Sequence, residues 1–317
     1  MALRHTPGDW GLLILLALLF GGSFVFIEFA IETVPPATVV AARMWLAVAL
    51  LFMLARWRGH DVPGIFNADG TISLRWKYFA AIGVIGNLAP FTLIAWGQTG
   101  IESGLSGILV GTMPLMTLAL AAAFVPGEAV TGRKLAGFLA GFAGLAVLLG
   151  PAALGLVAEE SLVHQVAVLG GAFCYAANTI LTKRMPATPV LGAATAICLC
   201  AALVSVPVAL ALDRPWTVDP SARSLGGITF LALFPTALAA WVYISLIRSA
   251  GPSFTAQVNY LTPVCAVILG ALVLGERPGP NALAGLALIL AGIAVSQGRR
   301  RRSEENPPTE IKDARSR

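Results

Sequence analysis

Two ionisable side chains stand alone inside long apolar runs. Of the 16 carboxylates only Glu28 does so, and of the 21 basic residues only Arg43. The Pro35-Pro36 turn lies between them, with Glu28 seven residues before Pro35 and Arg43 seven after Pro36. At about 1.5 Å per helical residue, both side chains lie about 10 Å below the turn, so opposite charges are expected to meet at one depth. A lone charge in hydrocarbon costs about 2.5–3.5 kcal/mol on insertion scales, and pairing offsets part of that. The pair is expected either to clamp the first two helices or to act as a gate touching a charged substrate. Beside a guanidinium, Glu28 is expected to serve as an ion-pair partner rather than a proton carrier.

A second set of residues mixes rings with amides: Asn87, Phe91, Trp96, Gln98, Tyr175, Asn178, Trp241, Tyr243, Gln257, Asn259 and Tyr260. Amides inside an apolar environment need partners, so they are expected to face a cavity or another helix rather than lipid. Rings and amides together suit a ligand with an apolar body and a few polar atoms. Trp96 and Gln98, at a helix end, also suit an interfacial belt, and the asparagines also suit interhelical hydrogen bonds. Gly104-Leu105-Ser106-Gly107 places a hydroxyl in a G-x-S-G pattern. A nucleophilic serine needs a histidine base within reach, and the one span-associated candidate is His164. His5, His60 and His164 show no ligand spacing, so no metal and no cofactor is expected. Cys174, Cys198, Cys200 and Cys265 all lie within apolar runs and read as small buried hydrophobes.

The elements that must position these residues follow from composition. The 317 residues are 57% hydrophobic and 12% charged, with a mean hydropathy of +0.81. A soluble chain carries about 25% charged residues, so a soluble enzyme, a disordered chain and a nucleic-acid partner are excluded despite a pI near 9.3. Apolar runs bounded by Pro, Gly or charge predict ten transmembrane helices at roughly 10–31, 37–55, 76–96, 103–124, 132–150, 163–182, 190–212, 224–247, 252–274 and 281–297. They are spans 1 to 10 below. With the N-terminus inside, the inner side collects 17 basic residues and the outer side 3 (Arg214, Arg223 and Arg277). The positive-inside rule therefore predicts both termini in the cytoplasm. Residues 299–317 read as a basic, disordered tail anchored at lipid headgroups through Arg299 to Arg302. Pro90, Pro114, Pro235 and Pro263 fall within spans and are expected to kink them, freeing the carbonyls of Gly86, Val110, Leu231 and Asn259. Spans 3, 4, 8 and 9 are thus the expected flexing, cavity-lining helices. Away from their ends the spans hold one Arg and no Lys, which argues against phosphate-bearing substrates and favours neutral, zwitterionic or lipophilic ones.

The chain also repeats itself. Gly21-Gly22-Ser23-Phe24 recurs as Gly170-Gly171-Ala172-Phe173, and Pro114 as Pro263, both at an offset of 149. Pro90 with Ala95-Trp96 recurs as Pro235 with Ala240-Trp241, at 145, and Gly127-Glu128 as Gly275-Glu276, at 148. The 13 residues from Leu135 match those from Leu283 at seven positions. Five matches in order predict a duplication, with residues 1–150 as the first unit and 151–298 as the second. Five spans per unit make the second unit inverted, which places a site near the midplane between the repeats and opens it alternately to either side. A channel on the same scaffold is the alternative of another class.

Gly21-Gly22-Ser23-Phe24 with Pro36 and Arg43, and Thr262-Pro263…Gly270…Leu274-Gly275-Glu276…Pro278…Gly285…Ala291-Gly292, resemble the EamA branch of the drug/metabolite transporter superfamily over about residues 10–298. The resemblance implies a ten-helix basket around a central cavity, with spans 5 and 10 peripheral, and export of metabolites or toxic compounds. The overall pattern is similar to bacterial exporters of aromatic amino acids. The sequence departs from the family at Glu28, near which many members carry a basic residue, so a cationic role there does not transfer. The expectation is a bacterial inner-membrane exporter of amino acids, working as a monomer among membrane lipids on a small-molecule substrate, with a broad exporter of lipophilic or cationic compounds as the alternative. The G-x-S-G resembles that of rhomboid intramembrane proteases. Its residues correspond in the second repeat to Ser253, Thr255 and Ala256, however, and small residues at all three positions point to close helix packing.

Overall fold

The computed structural model of the chain describes residues 6–59, 61–67, 69–124, 131–153 and 159–297. His5, His60, Gly127-Glu128 and the tail 299–317 lie outside the described residues. Apart from an isolated bridge between Phe66 and Ile72, the described secondary structure is helical, as expected where lipid offers the backbone no hydrogen bonds. Each predicted span is helical, and among the described residues seven helices are long and apolar enough to cross a bilayer. Val258–Leu274 and Pro280–Ser296 are shorter apolar helices, and span 5 is the helix Gly132–Ala153.

Neighbours in sequence are not the main neighbours in space. Span 1 packs on spans 8 and 9 and barely touches span 2. Span 2 packs on spans 7 and 8, span 3 on spans 6 and 7, and span 4 on spans 6 and 9. Span 5 packs against span 10 in the most extensive helix contact of the chain. That last contact is a glycine seam. A Cβ at Gly137 would lie 2.5 Å from the Gly292 carbonyl oxygen, and one at Gly144 would lie 2.9 Å from that of Gly285. Without side chains between them the backbones meet, which is how dispersion holds helices together in lipid.

The prolines act in three different ways. Span 3 carries a π-helical turn, Gly83–Leu88, just before Pro90. Span 8 carries one, Leu233–Leu238, that contains Pro235. Such turns accommodate a missing hydrogen bond and recur at functional sites. Pro263 lies inside the helix Val258–Leu269, which follows a break at Ala256-Gln257 and runs into a π-helical turn at Gly270–Leu274. Pro114 corrects the sequence reading. Span 4 is already interrupted at Gly111-Thr112, and Pro114 is the second residue of a new helix, Met113–Phe124. There a missing N–H leaves no helical bond unmade.

Candidate functional site

Arg43, 5% exposed, is the centre of a polar cluster where spans 2, 3 and 8 meet. Its Nε and Nη2 donate to Thr236 Oγ1 at 3.3 and 3.1 Å. Thr236 in turn donates to the Leu231 carbonyl at 2.8 Å. Leu231 is the residue whose carbonyl Pro235 frees, so the threonine hydroxyl satisfies the kink and anchors the guanidinium in one stroke. On its other side Arg43 lies over the Phe91 ring, 3.8 Å from the centroid, a cation–π contact that gains strength away from water. Phe91 meets Tyr175 of span 6 edge to face, centroids 6.2 Å apart. Asn87 reaches Cys198 of span 7, Nδ2 to Sγ 4.0 Å. Asn178 lies over Gly86, where a Cβ would come 2.5 Å from its Cγ. Among the described residues no further acceptor meets the guanidinium, and Nη1 has no hydrogen-bond partner there.

The expected Glu28–Arg43 ion pair does not form. Glu28 instead accepts from Gln98 Nε2 at 3.4 Å. Equal depth fixes one coordinate only. Spans 1 and 2 scarcely touch, so Glu28 turns toward the end of span 3 while Arg43 turns toward spans 3 and 8.

The remaining predicted residues lie away from this cluster. Gln98, 2% exposed, donates to the Phe24 carbonyl at 2.8 Å. Trp96 stacks on His164, centroids 4.6 Å apart, and is 41% exposed, as an interfacial ring would be. Trp241 and Tyr243 are exposed. Gln257, Asn259 and Tyr260 are half-buried at and after the break in span 9. Ser106 is fully buried, and its hydroxyl has no hydrogen-bond partner, histidine or other.

A second polar region, which sequence reasoning did not assemble, lies where the turns between spans 3 and 4 and spans 9 and 10 meet the end of span 5 and the start of span 6. Gly275, with a φ of 72°, ends span 9 in the left-handed region open to glycine and delivers Glu276 to the start of span 4. There the carboxylate accepts from the Ser103 amide at 2.7 Å and the Gly104 amide at 2.9 Å. A carboxylate on two free helix-start amides complements the helix dipole. The adjacent Glu102 is pushed above the usual carboxylate range by partial burial and by Glu276. The Gly275-Glu276 repeat match pointed to this position, but not to its partner across the molecule.

Comparison with known proteins agrees with this architecture. One solved crystal structure, 20% identical, superposes with a TM-score of 0.64 over 94% of this chain and 100% of that chain, a likeness of fold. An uncharacterized inner membrane transporter of Escherichia coli K12, YedA, is 26% identical over 93% of this chain and 92% of its own length. A probable terminal-alkyne amino-acid exporter of Streptantibioticus cattleyicolor is 26% identical over 96% and 99%. A probable amino-acid metabolite efflux pump of Escherichia coli K12 is 25% identical over 91% and 94%. The EamA-like transporter family matches residues 10–150 and again 164–297. The apolar helices, the buried polar cluster and this double match have one reading: the chain is a multi-pass membrane transporter and belongs to the EamA-like transporter family.

Proposed function

We propose that the chain is a bacterial inner-membrane secondary transporter that exports amino acids with apolar or aromatic side chains, through alternating access between two inverted five-span repeats. The packing supports the inversion. Exchanging each span for its repeat mate, 1 with 6 through 5 with 10, turns the observed contacts into one another. The contact of span 1 with span 9 becomes that of span 6 with span 4, and span 2 on span 8 becomes span 7 on span 3. The glycine seam obeys the same exchange, since Gly137 and Gly144 are the mates of Gly285 and Gly292.

The position of Arg43 carries the functional reading. At the repeat offset of 145, Phe91 is the mate of Thr236, and each directly follows a matched proline. The one guanidinium away from the span ends therefore bridges both kinks, 3.8 Å from one ring centroid and 3.1 Å from the other's hydroxyl. The Nη1 hydrogens suit a carboxylate, and Phe91 and Tyr175 suit an apolar or aromatic side chain. Loading this site changes the contacts of both kinked helices at once, the differential binding that a two-state carrier needs. A fixed cation inside the spans disfavours cationic substrates, which sets amino acids ahead of broad export of organic cations. The names of two relatives, an amino-acid exporter and an amino-acid metabolite efflux pump, support the same substrate class.

The test is counterflow in proteoliposomes with labelled leucine, phenylalanine and a lipophilic organic cation. Saturable amino-acid exchange with no cation exchange is expected. Cation exchange alone overturns the substrate class, and non-saturable flux without counterflow makes the protein a channel.

A further inference from the structure

A cavity of about 240 Å³ lies at the second polar region, with Arg43 not among its lining residues, where the turns joining spans 3 and 4 and spans 9 and 10 meet Leu148 of span 5 and Ser161 and Gln165 at the start of span 6. It is smaller than the roughly 300–1,000 Å³ of drug-sized sites. Its wall holds opposite charges, Glu102 and Arg277, that do not close on each other. Neither has an ion-pair or hydrogen-bond partner among the described residues. Gln165, 3% exposed, also lines the cavity. Its Nε2 donates to Ser161 at 2.9 Å, and its Oε1 is buried with no hydrogen-bond partner among the described residues. Glu276, also in the wall, already holds the two amides of span 4. Leu105, Leu148 and Val267 form the apolar part.

We propose that this cavity is a second binding site on the transport path, for the zwitterion of an α-amino acid. Arg277 holds the carboxylate, Glu102 holds the ammonium, and the leucine and valine side chains hold an apolar R group. The proposal rests on the reading of the chain as an amino-acid exporter. It adds a waiting station at one mouth of the path, separate from Arg43. Because Glu276 bolts the start of span 4 to the end of span 9 at the same place, an occupant would sit against the joint that must part when this face opens.

The experiment is equilibrium binding of tritiated leucine to the purified full chain in detergent, with isoamylamine (no carboxylate) and isocaproate (no ammonium) as competitors, beside leucine counterflow. Charged hydrogen bonds contribute enough to predict at least about tenfold weaker binding in Glu102→Gln and Arg277→Ala. The two variants should differ in kind. Arg277→Ala loses the preference for leucine over isoamylamine, and Glu102→Gln loses the preference over isocaproate. Wild-type affinity and selectivity in both surface variants, with leucine exchange intact, would overturn the second site and leave the export reading standing. No leucine binding and no amino-acid exchange by the wild type would instead overturn the export reading, and the site with it.

Discussion

Spans 3 and 8, mates in the proposed duplication, meet the same proline kink with different chemistry. In span 8 the π-helical turn contains Pro235, and the freed Leu231 carbonyl is recaptured by Thr236, which Arg43 then holds. In span 3 the turn precedes Pro90. The residue matching Thr236 is Phe91, which offers a ring face and no hydroxyl. The residue matching Leu231 is Gly86, which lets Asn178 of span 6 lie against the backbone. One hinge is thus bonded and the other is packed. A duplicated helix keeps its kink because proline dictates it, while the partners of the kink diverge freely.

The largest effect is expected at Arg43, which touches both hinges. Arg43→Ala should abolish leucine counterflow. Arg43→Lys keeps the charge but loses the planar fork, and should raise KM by about tenfold or more, the equivalent of one charged hydrogen bond. Equal, small effects of both variants would make Arg43 structural and break the comparison at its centre.

Next come the two mates. Thr236→Val leaves the Leu231 carbonyl and two Arg43 donors unmet, at a cost of about 1–3 kcal/mol for each unsatisfied group. Phe91→Leu removes a cation–π contact of about 0.5–2 kcal/mol. Thermal unfolding in detergent should therefore rank Thr236→Val below Phe91→Leu, and the reverse order would mean that the packed hinge is the stronger.

Gly86→Ala probes that packed hinge directly. Its Cβ would meet Asn178 at 2.5 Å, and overpacking costs about 1–3 kcal/mol. Pairing it with Asn178→Ala should recover most of the loss, and no recovery would place the strain elsewhere.

The smallest effect lies at the turn after each helix. Glu102 follows span 3, and its mate after span 8 is Gly251, with a φ of 85°. Burial and Glu276 raise the Glu102 pKa, so the folded chain holds that proton more tightly than the unfolded chain does. Ionisation then destabilises the fold at pH values above the raised pKa, and the cost disappears as pH falls below the ordinary carboxylate range. Glu102→Gln should raise the melting temperature slightly at neutral pH and not at acid pH. A gain that does not change with pH would assign it to something other than charge.

Much of this was legible in the sequence. Apolar run lengths set the helices, the matched prolines marked where two π-helical turns occur, and Leu231 was identified as a carbonyl in need of a donor. Its partner was missed, although the signal was present: a threonine follows the proline directly and can bond back along its own helix. The Glu28 reading failed for a different reason. Counting from a turn gives depth, but azimuth depends on which helices pack together, and spans 1 and 2 do not. Gln165 and Glu102 carried no pattern at all, because segments distant in sequence bring their cavity together.

The glycine seam between spans 5 and 10 also bears on how the protein is made. About 155 residues separate Gly137 from Gly292, so at about 5–20 residues per second of synthesis the first face waits roughly 8–30 s for the second. Through that interval the first half is inserted with its closest-fitting face turned to lipid. Span 10, made about 155 residues later, is the helix that closes it.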